Sequence, residues 1–371
     1  MSVLATNAIT DASGGNTATI NSYTPTESNM AGRNRIINGS MVLDQRNAGA
    51  SITQSTSNQF PVDRWLVAGD VASKFTAQQS STAPAGFINS LLITSSSAYT
   101  VGASESFILT QYVEGLNVAD FGWGTANATA ITVSFWVRSS LTGTFGGVVR
   151  NSASNRSYPF SYTISAANTF EKKSITIAGD TSGTWLTTNG RGLNLTFSMG
   201  AGASASGTAG AWAGTAYASA TGATSVVGTS GATFYITGVQ LEAGSVATPF
   251  ERRSYGTELQ LAQRYYNKVS ANDGNGGYAA FGSGYASGST TAVISVTLPV
   301  AMRSAPTLTL GGTNRVLPTG SGNPSITGTT YIGTKGGYLN VVVSSGLSAY
   351  TGAMLGGDGD EAAFISYSAE L

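Results

Sequence analysis

From Asn34 onward, apolar residues recur in short runs that alternate with polar ones, the two-residue period of a strand with one buried face. Residues 131–137, Ile-Thr-Val-Ser-Phe-Trp-Val, show it plainly: Ile131, Val133, Phe135 and Val137 share a face, and Trp136 falls on the other. The pattern predicts strands over 35–38, 40–45, 63–68, 74–79, 89–94, 106–113, 130–138, 158–164, 170–177, 193–198 and 233–241. So many short strands without a strong helical pattern predict a two-sheet β-sandwich, because each half-buried sheet must cover the other.

The period changes within residues 233–268, which begin as a strand, with Phe234, Ile236 and Val239 spaced by small or polar residues, and end at helical spacing. Thr248-Pro249-Phe250-Glu251 has the form of a capping box with Pro at the first helical position, and 257–267 gives the main helix. Tyr255, Leu259, Ala262 and Tyr266 then make one apolar face, which packs either on its own domain or on the same helix of two other chains. Past the turn cluster Asp273-Gly274-Asn275-Gly276-Gly277, strands resume over 291–298, 307–310, 337–344 and 362–368. Ile294, Val296 and Leu298 alternate there with Ser295 and Thr297, as a strand with one wet face requires.

The expected division is therefore an N-terminal arm over 1–33, a first β-domain over 34–252, a helical linker over 253–272 and a smaller C-terminal β-domain over 273–371. Residues 1–33 hold too few apolar side chains for a core of their own and read as an arm ordered by docking or as a disordered leader. A Gly/Ala/Ser/Thr tract over 199–232 has Trp212 and Tyr217 as its large aromatics. They either fold back to cap the sandwich or contact a neighbouring subunit or ligand.

Composition narrows the functions open to such a chain. Charged residues are 10% of the 371, against roughly 25% in an ordinary soluble domain. Gly, Ser, Thr, Ala and Asn supply a neutral hydrogen-bonding surface instead, a pattern common where a molecule packs against copies of itself. Lys plus Arg equals Asp plus Glu at 18 each, so no long-range field steers nucleic acid or an anionic membrane toward it. With no Cys and no His there can be no disulfide, Cys-ligated zinc, Ser-His-Asp triad or histidine proton switch. No apolar run approaches the roughly 20 residues of a membrane-spanning helix, and no basic-then-apolar leader is visible. The expectation is a non-enzymatic protein without cofactor or metal, with no nucleic-acid partner and no membrane insertion.

What remains is recognition by aromatic faces, which stack on the C–H groups of pyranose rings. Trp65, in a strand after Asp63-Arg64, reads as core, whereas Trp123 in Phe121-Gly122-Trp123-Gly124 and Trp185 after Asp180-Thr181-Ser182-Gly183 sit in loops. In the C-terminal region Tyr278, Tyr285, Tyr331 and Tyr338 lie in glycine-rich stretches and Tyr350 in another loop between strands, where Tyr gives amphipathic area at low side-chain entropy cost; the same residues would also pack a threefold interface. The candidate ligand-binding residues are thus Trp123, Trp185, Tyr278, Tyr285, Tyr331 and Tyr350. Gly356-Gly357-Asp358-Gly359-Asp360-Glu361 is the one dense carboxylate cluster. It reads as a solvated turn, a cation site near a symmetry axis, or the acid pair of a glycosidase, which needs carboxylates about 5–9.5 Å apart across a groove.

Four stretches carry a resemblance: Asn34-Arg35-Ile36-Ile37-Asn38-Gly39-Ser40-Met41, Val62-Asp63-Arg64-Trp65, Thr132-Val133-Ser134-Phe135-Trp136-Val137-Arg138, and Phe234-Tyr235-Ile236-Thr237-Gly238-Val239-Gln240-Leu241-Glu242. In order and spacing they resemble the carbohydrate-binding-module-like jelly roll of bacteriophage tail fibres and related receptor-binding proteins. Thr248-Pro249-Phe250-Glu251-Arg252-Arg253, Leu261-Ala262-Gln263-Arg264-Tyr265-Tyr266, Val300-Ala301-Met302-Arg303-Ser304-Ala305-Pro306-Thr307 and the Ala-Glu-Leu ending at Leu371 extend the likeness.

The resemblance implies an all-β fold, with a jelly-roll sandwich, a short helix and a smaller C-terminal β-sandwich, assembled as a homotrimer. It implies a virion location, with the arm on a tail or baseplate protein and the distal domain on host-surface polysaccharide or lipopolysaccharide. A head fibre or capsid decoration protein, or an accessory module of a polysaccharide-degrading enzyme, are the alternatives. In similar sugar-binding modules acidic residues after the first Asn-Gly and after Phe-Tyr-Ile help hold a structural calcium. Here Ser40 and Thr237 stand at those positions, leaving Glu242 as one carboxylate for a cage of six to eight oxygens.

Overall fold

The computed structural model describes residues 32–271, 276–326 and 331–371. Of the arm expected over 1–33, all but Gly32 and Arg33 lies outside the described residues. The chain is almost entirely β and divides into two compact units.

The first unit takes residues up to 42, with 49–61 and 65–252. Its strands are β1 (Ile52–Thr53), β2 (Gln59–Val62), β3 (Trp65–Gly69), β4 (Phe75–Ser80), β5 (Ser90–Ser95), β6 (Ser106–Glu114) and β7 (Ile131–Ser139). There follow β8 (Gly143–Asn151), β9 (Ser157–Ile164), β10 (Glu171–Ile177), β11 (Arg191–Ala201), the two-residue pair β12 (Ser206–Gly207) and β13 (Ser219–Ala220), and β14 (Thr233–Ala243). One six-stranded sheet runs β1-β4-β5-β14-β7-β10 and the other β2-β3-β6-β11-β8-β9. From β5 to β8 and from β9 to β11 the chain changes sheet at every step, the weave of a jelly roll.

The alternation read in the sequence is the alternation of burial. Val133, Phe135, Val137, Phe234 and Ile236 of one sheet and Leu109, Phe145, Leu195 and Phe197 of the other are all fully buried. Phe135 meets Phe197 edge-on at 4.9 Å and Tyr162 at 5.0 Å. Trp65 is in the core as expected, its indole N–H donating to the Asn38 carbonyl at 3.1 Å.

Two expected strands are absent. Residues 35–38 and 40–45 are buried or half-buried but irregular, because Asn38 (φ 58°) and Met41 (φ 59°) are left-handed and break the extended run. The segment plugs a register shift between Thr237 and Gln240 of β14. The Asn34 side chain accepts from the Leu241 and Ile36 amides at 3.1 and 2.9 Å and donates to the Val239 carbonyl at 3.0 Å. Gly39 lies so close that a Cβ there would sit 2.2 Å from the Val239 oxygen. The Asn-to-Gly motif at 34–39 is therefore a clamp on β14.

The second unit gathers residues 43–48, 62–64 and 253–371, so two pieces that the sequence assigns to the first domain belong here. They are tied in by charge. Arg64 pairs with Glu370 and lies 3.6 Å from the centre of the Tyr265 ring; Arg46 reaches Glu370 at 3.0 Å and covers the Tyr266 ring at 3.6 Å. Asp63 accepts from the Gln45 side-chain amide at 2.6 Å.

The helix is shorter than the 257–267 that the spacing predicts, and it starts and ends earlier: α1 spans Tyr255–Gln263, and Ser254 caps it by accepting from the Thr257 amide. Residues 249–251 are not helical. The Glu251 carboxylate instead accepts the backbone amides of Gly32 and Asn34 at 2.9 and 2.7 Å, so the expected capping box does not form. Tyr266 is not on the helix either, since it opens β15 (Tyr266–Ser270), and Tyr255 is 63% exposed. Residues 253–271 cluster with the second unit.

The remaining strands are β16 (Ala280–Ala286), β17 (Thr291–Thr297), β18 (Thr307–Gly311), β19 (Asn314–Leu317), β20 (Ser325–Ile326), β21 (Tyr331–Gly333), β22 (Gly336–Val342), β23 (Gly352–Gly357) and β24 (Phe364–Ser368). A three-stranded sheet runs β15-β24-β18, and a seven-stranded sheet runs β19-β23-β16-β17-β22-β20, with β21 also paired to β22. Ile294, Val296, Leu339, Val341 and Leu355 of the large sheet share one core with Ile365 and Tyr367 of the small one. Every second residue of β17 is thereby turned outward, and the outer face is where the unit's candidate site lies.

Candidate functional site

Register across the large sheet decides which outward side chains meet. Ser295 of β17 lies opposite Tyr338 of β22, and Tyr338 lies opposite Tyr331 of β21. One row along, Tyr285 of β16 faces Val293, which faces Asn340. These rows form the floor and walls of an open groove of about 910 Å³ lined by Tyr285, Val293, Ser295, Thr297, Tyr331, Lys335, Tyr338 and Asn340 together with Gly284, Gly336 and Gly337.

The tyrosines are 41 to 57% exposed, and Tyr331 and Tyr338 meet at 4.8 Å with their planes 38° apart, making one continuous aromatic surface. The glycines leave the strip between the rings bare of side chains. Gly336 is required there, because its φ is 122° and a Cβ would lie 2.4 Å from the Val296 oxygen.

The six residues singled out in the sequence have separate fates. Tyr285 and Tyr331 come together in the groove, on strands and not in the loops expected. Tyr338, outside that set, completes the pair with Tyr331. Tyr278 is 59% exposed but lies elsewhere, 5.3 Å below the Arg315 guanidinium, and Tyr350, 89% exposed, is on the turn before β23.

Trp123 corrects the expectation of exposure, since it is 7% exposed and packed edge-on against Trp185 at 4.6 Å and Trp212 at 5.3 Å. All three indole N–H groups are spent on backbone carbonyls, those of Thr129, Ser182 and Ala178 respectively. Half-buried Trp185 borders a small pocket of about 140 Å³ beside Trp123, Phe121 and Leu193. Trp212 also packs on Tyr158 at 5.2 Å, so of the two readings of the 199–232 tract the fold shows the cap. Three tryptophans from three loops close one end of the jelly roll.

The carboxylates are bound up in loop structure. Glu242 accepts from the Thr248 amide and hydroxyl at 2.9 and 2.6 Å and from the Gln240 amide at 2.8 Å, fixing the turn after β14. Asp360 accepts the Thr313 and Ala362 amides at 2.7 and 2.8 Å, and these hydrogen bonds hold its carboxyl below the usual range. Asp358 pairs with Arg315 at 3.1 Å. Among the described residues no three Asp or Glu side chains gather where they could hold a metal ion.

No protein-family model and no curated protein matches this sequence. Solved structures do resemble it. The enzymatically active domain of tailspike protein 4 of bacteriophage CBA120 aligns at 12% identity and a TM-score of 0.31, over 57% of this chain and 21% of the tailspike. The family 11 carbohydrate-binding module of the cellulase Lic26A-Cel5E of Clostridium thermocellum aligns at 10% identity and a TM-score of 0.28, over 53% of this chain and 99% of the module. A third, TmCBM61 in complex with β-1,4-galactotriose, aligns at 15% identity and 0.26, over 48% and 88%. At such identities and scores no ligand and no chemistry carries over.

Proposed function

We propose that this chain is a structural fibre protein of a bacteriophage particle, attached to the virion through residues 1–33, assembled as a homotrimer, and recognising host-surface polysaccharide or lipopolysaccharide through the tyrosine groove. The observation that carries this reading is the groove. Three partly exposed tyrosines stand around a bare strip of backbone, with Ser295 and Asn340 on its floor and Lys335 at its rim. A pyranose offers C–H faces to such rings and hydroxyls to such a polar margin. Because the rings stand on paired strands, little ordering remains to be done on binding. The groove's lining holds neither Asp nor Glu, whereas a glycosidase needs a pair of them. A weak site suffices when three or more copies act together, since avidity rises without new contacts. The virion side of the proposal is supported by the likeness of the motifs at 34–41, 62–65, 132–138 and 234–242 to phage fibre jelly rolls.

The test is a glycan array followed by solution titration of the best hit. Tyr331→Ala and Tyr338→Ala should each weaken binding tenfold or more, while Trp185→Ala leaves it unchanged. Loss of binding in Trp185→Ala alone would move the site to the end of the jelly roll. Electron microscopy of particles labelled on this chain should show it on the tail; density on the head would make it a head fibre or decoration protein.

A further inference from the structure

We infer that the groove selects acidic glycans, those carrying a carboxylate or phosphate, over neutral ones. This rests on the reading of the groove as a glycan site and adds its ligand class. The cations of the second unit are accounted for one by one. Arg46 and Arg64 hold Glu370, Arg253 holds Glu258, and Arg315 holds Asp358. Arg303 donates to the carbonyls of Ala369 and Glu370, Arg264 reaches the Ala301 carbonyl, and Lys268 donates to Arg46. Lys335 differs from all of these. Its ammonium has neither an anionic partner, a carbonyl acceptor nor an aromatic face among the described residues, and it lines the groove.

Its position is fixed from behind. Thr334 and Lys335 form the two-residue turn joining β21 to β22, and their carbonyls accept the amides of Met302 and Leu298 at 2.7 and 3.2 Å. The turn therefore holds Lys335 at the end of the β21–β22 ladder, in the lining it shares with Tyr331 and Tyr338, and no carboxylate in that lining competes for it. A sugar stacked on those rings would meet one positive charge and phenolic O–H donors. An anionic substituent satisfies both; a neutral hydroxyl satisfies the donors alone and leaves the charge unmatched.

The test uses the full chain on an array holding neutral, carboxylate-bearing and phosphate-bearing glycans, with Lys335→Gln, Lys335→Glu and Tyr338→Ala beside the unaltered protein. Thermal melts confirm that each variant is folded. The expected result is that acidic members dominate the positives. Lys335→Gln should lower their signal about five- to tenfold without changing any neutral binder, and Lys335→Glu should lower it further. Chemical reduction of the carboxyl in the best carboxylate hit should cost the unaltered protein the same factor and cost Lys335→Gln nothing. Carboxylate and phosphate members of the array separate the two sources of charge. Neutral glycans binding as well as acidic ones, or an acidic preference that survives Lys335→Gln, would overturn the inference while leaving the groove a glycan site. Binding to no glycan at all would sink the underlying reading. A lower assembly mass for Tyr338→Ala in light scattering would show that a second copy of the chain fills the groove, overturning both.

Discussion

At the scale of single residues, Asp63 has the clearest energetic signature. It is 1% exposed, and burial pushes its carboxyl up to about 6, with Arg46 and the Gln45 hydrogen bonds opposing the rise and Glu370 adding to it. A carboxyl with a raised folded-state pKa holds its proton more tightly folded than unfolded. Its contribution to stability is fully present below the unfolded value near 3.8 and is lost as pH rises through about 6. That loss is on the order of 3 kcal/mol, in a cluster whose arginines and Glu370 are themselves nearly buried. Asp63→Asn cannot titrate. Between about pH 4 and pH 7, urea unfolding should therefore show the variant gaining on the unaltered protein by that order. A difference that stays flat over this range would mean that Asp63 titrates alike folded and unfolded. Nothing local in the sequence marks Asp63 as such a group, because its partners come from residues 45, 46 and 370.

At the scale of elements, the clamp on β14 makes a sharper claim than any propensity. Asn34 satisfies three buried backbone groups, at Ile36, Val239 and Leu241, just where β14 slips register. Asn34→Ala should cost about 3 kcal/mol, because each orphaned group pays its own desolvation. A thermal or urea shift worth less than about 1 kcal/mol would show that water or a relaxed backbone takes over. The motif is visible in the sequence as a resemblance; its physical work is not, because two of its three partners, Val239 and Leu241, are some 200 residues away. The same divide runs through the other elements. Strands with strict alternation, such as Ile131–Ser139 and Thr291–Thr297, were legible from period alone. Ala280–Ala286, Tyr331–Gly333 and Gly352–Gly357 were not, because glycine supplies neither a buried nor an exposed side chain to count. By pattern Tyr285 and Tyr331 therefore read as loop residues, and Tyr338 falls outside the candidate binding set. The groove exists only through the register of β16, β17, β22 and β21, a non-local property. The burial of Trp123 is non-local in the same way, since Trp185 and Trp212, which pack on it, lie on other loops.

At the scale of the whole molecule, the low charge and the exposed aromatic surface bear on assembly. A chain with 10% charged residues keeps few groups that would repel a like copy. Helix α1 presents Tyr255 at 63% exposure with Leu259, half-buried, one turn on, while Gln260 faces solvent. If three chains meet along this helix, covering Tyr255 and Leu259 removes apolar surface from water, and a charge placed there must be desolvated without a partner. Light scattering of the unaltered protein should then give three times the 37.7 kDa of one chain. Leu259→Asp should shift the mass toward the monomer at concentrations where Gln260→Asp stays assembled. Because Leu259 is only half-buried within its own chain, unfolding is the competing explanation, and circular dichroism of the dissociated variant distinguishes them: a retained β spectrum assigns the loss to assembly. Equal masses for the two variants would place the contact elsewhere, and a monomer mass for the unaltered protein would remove the trimer, and with it the threefold avidity on which weak tyrosine sites depend.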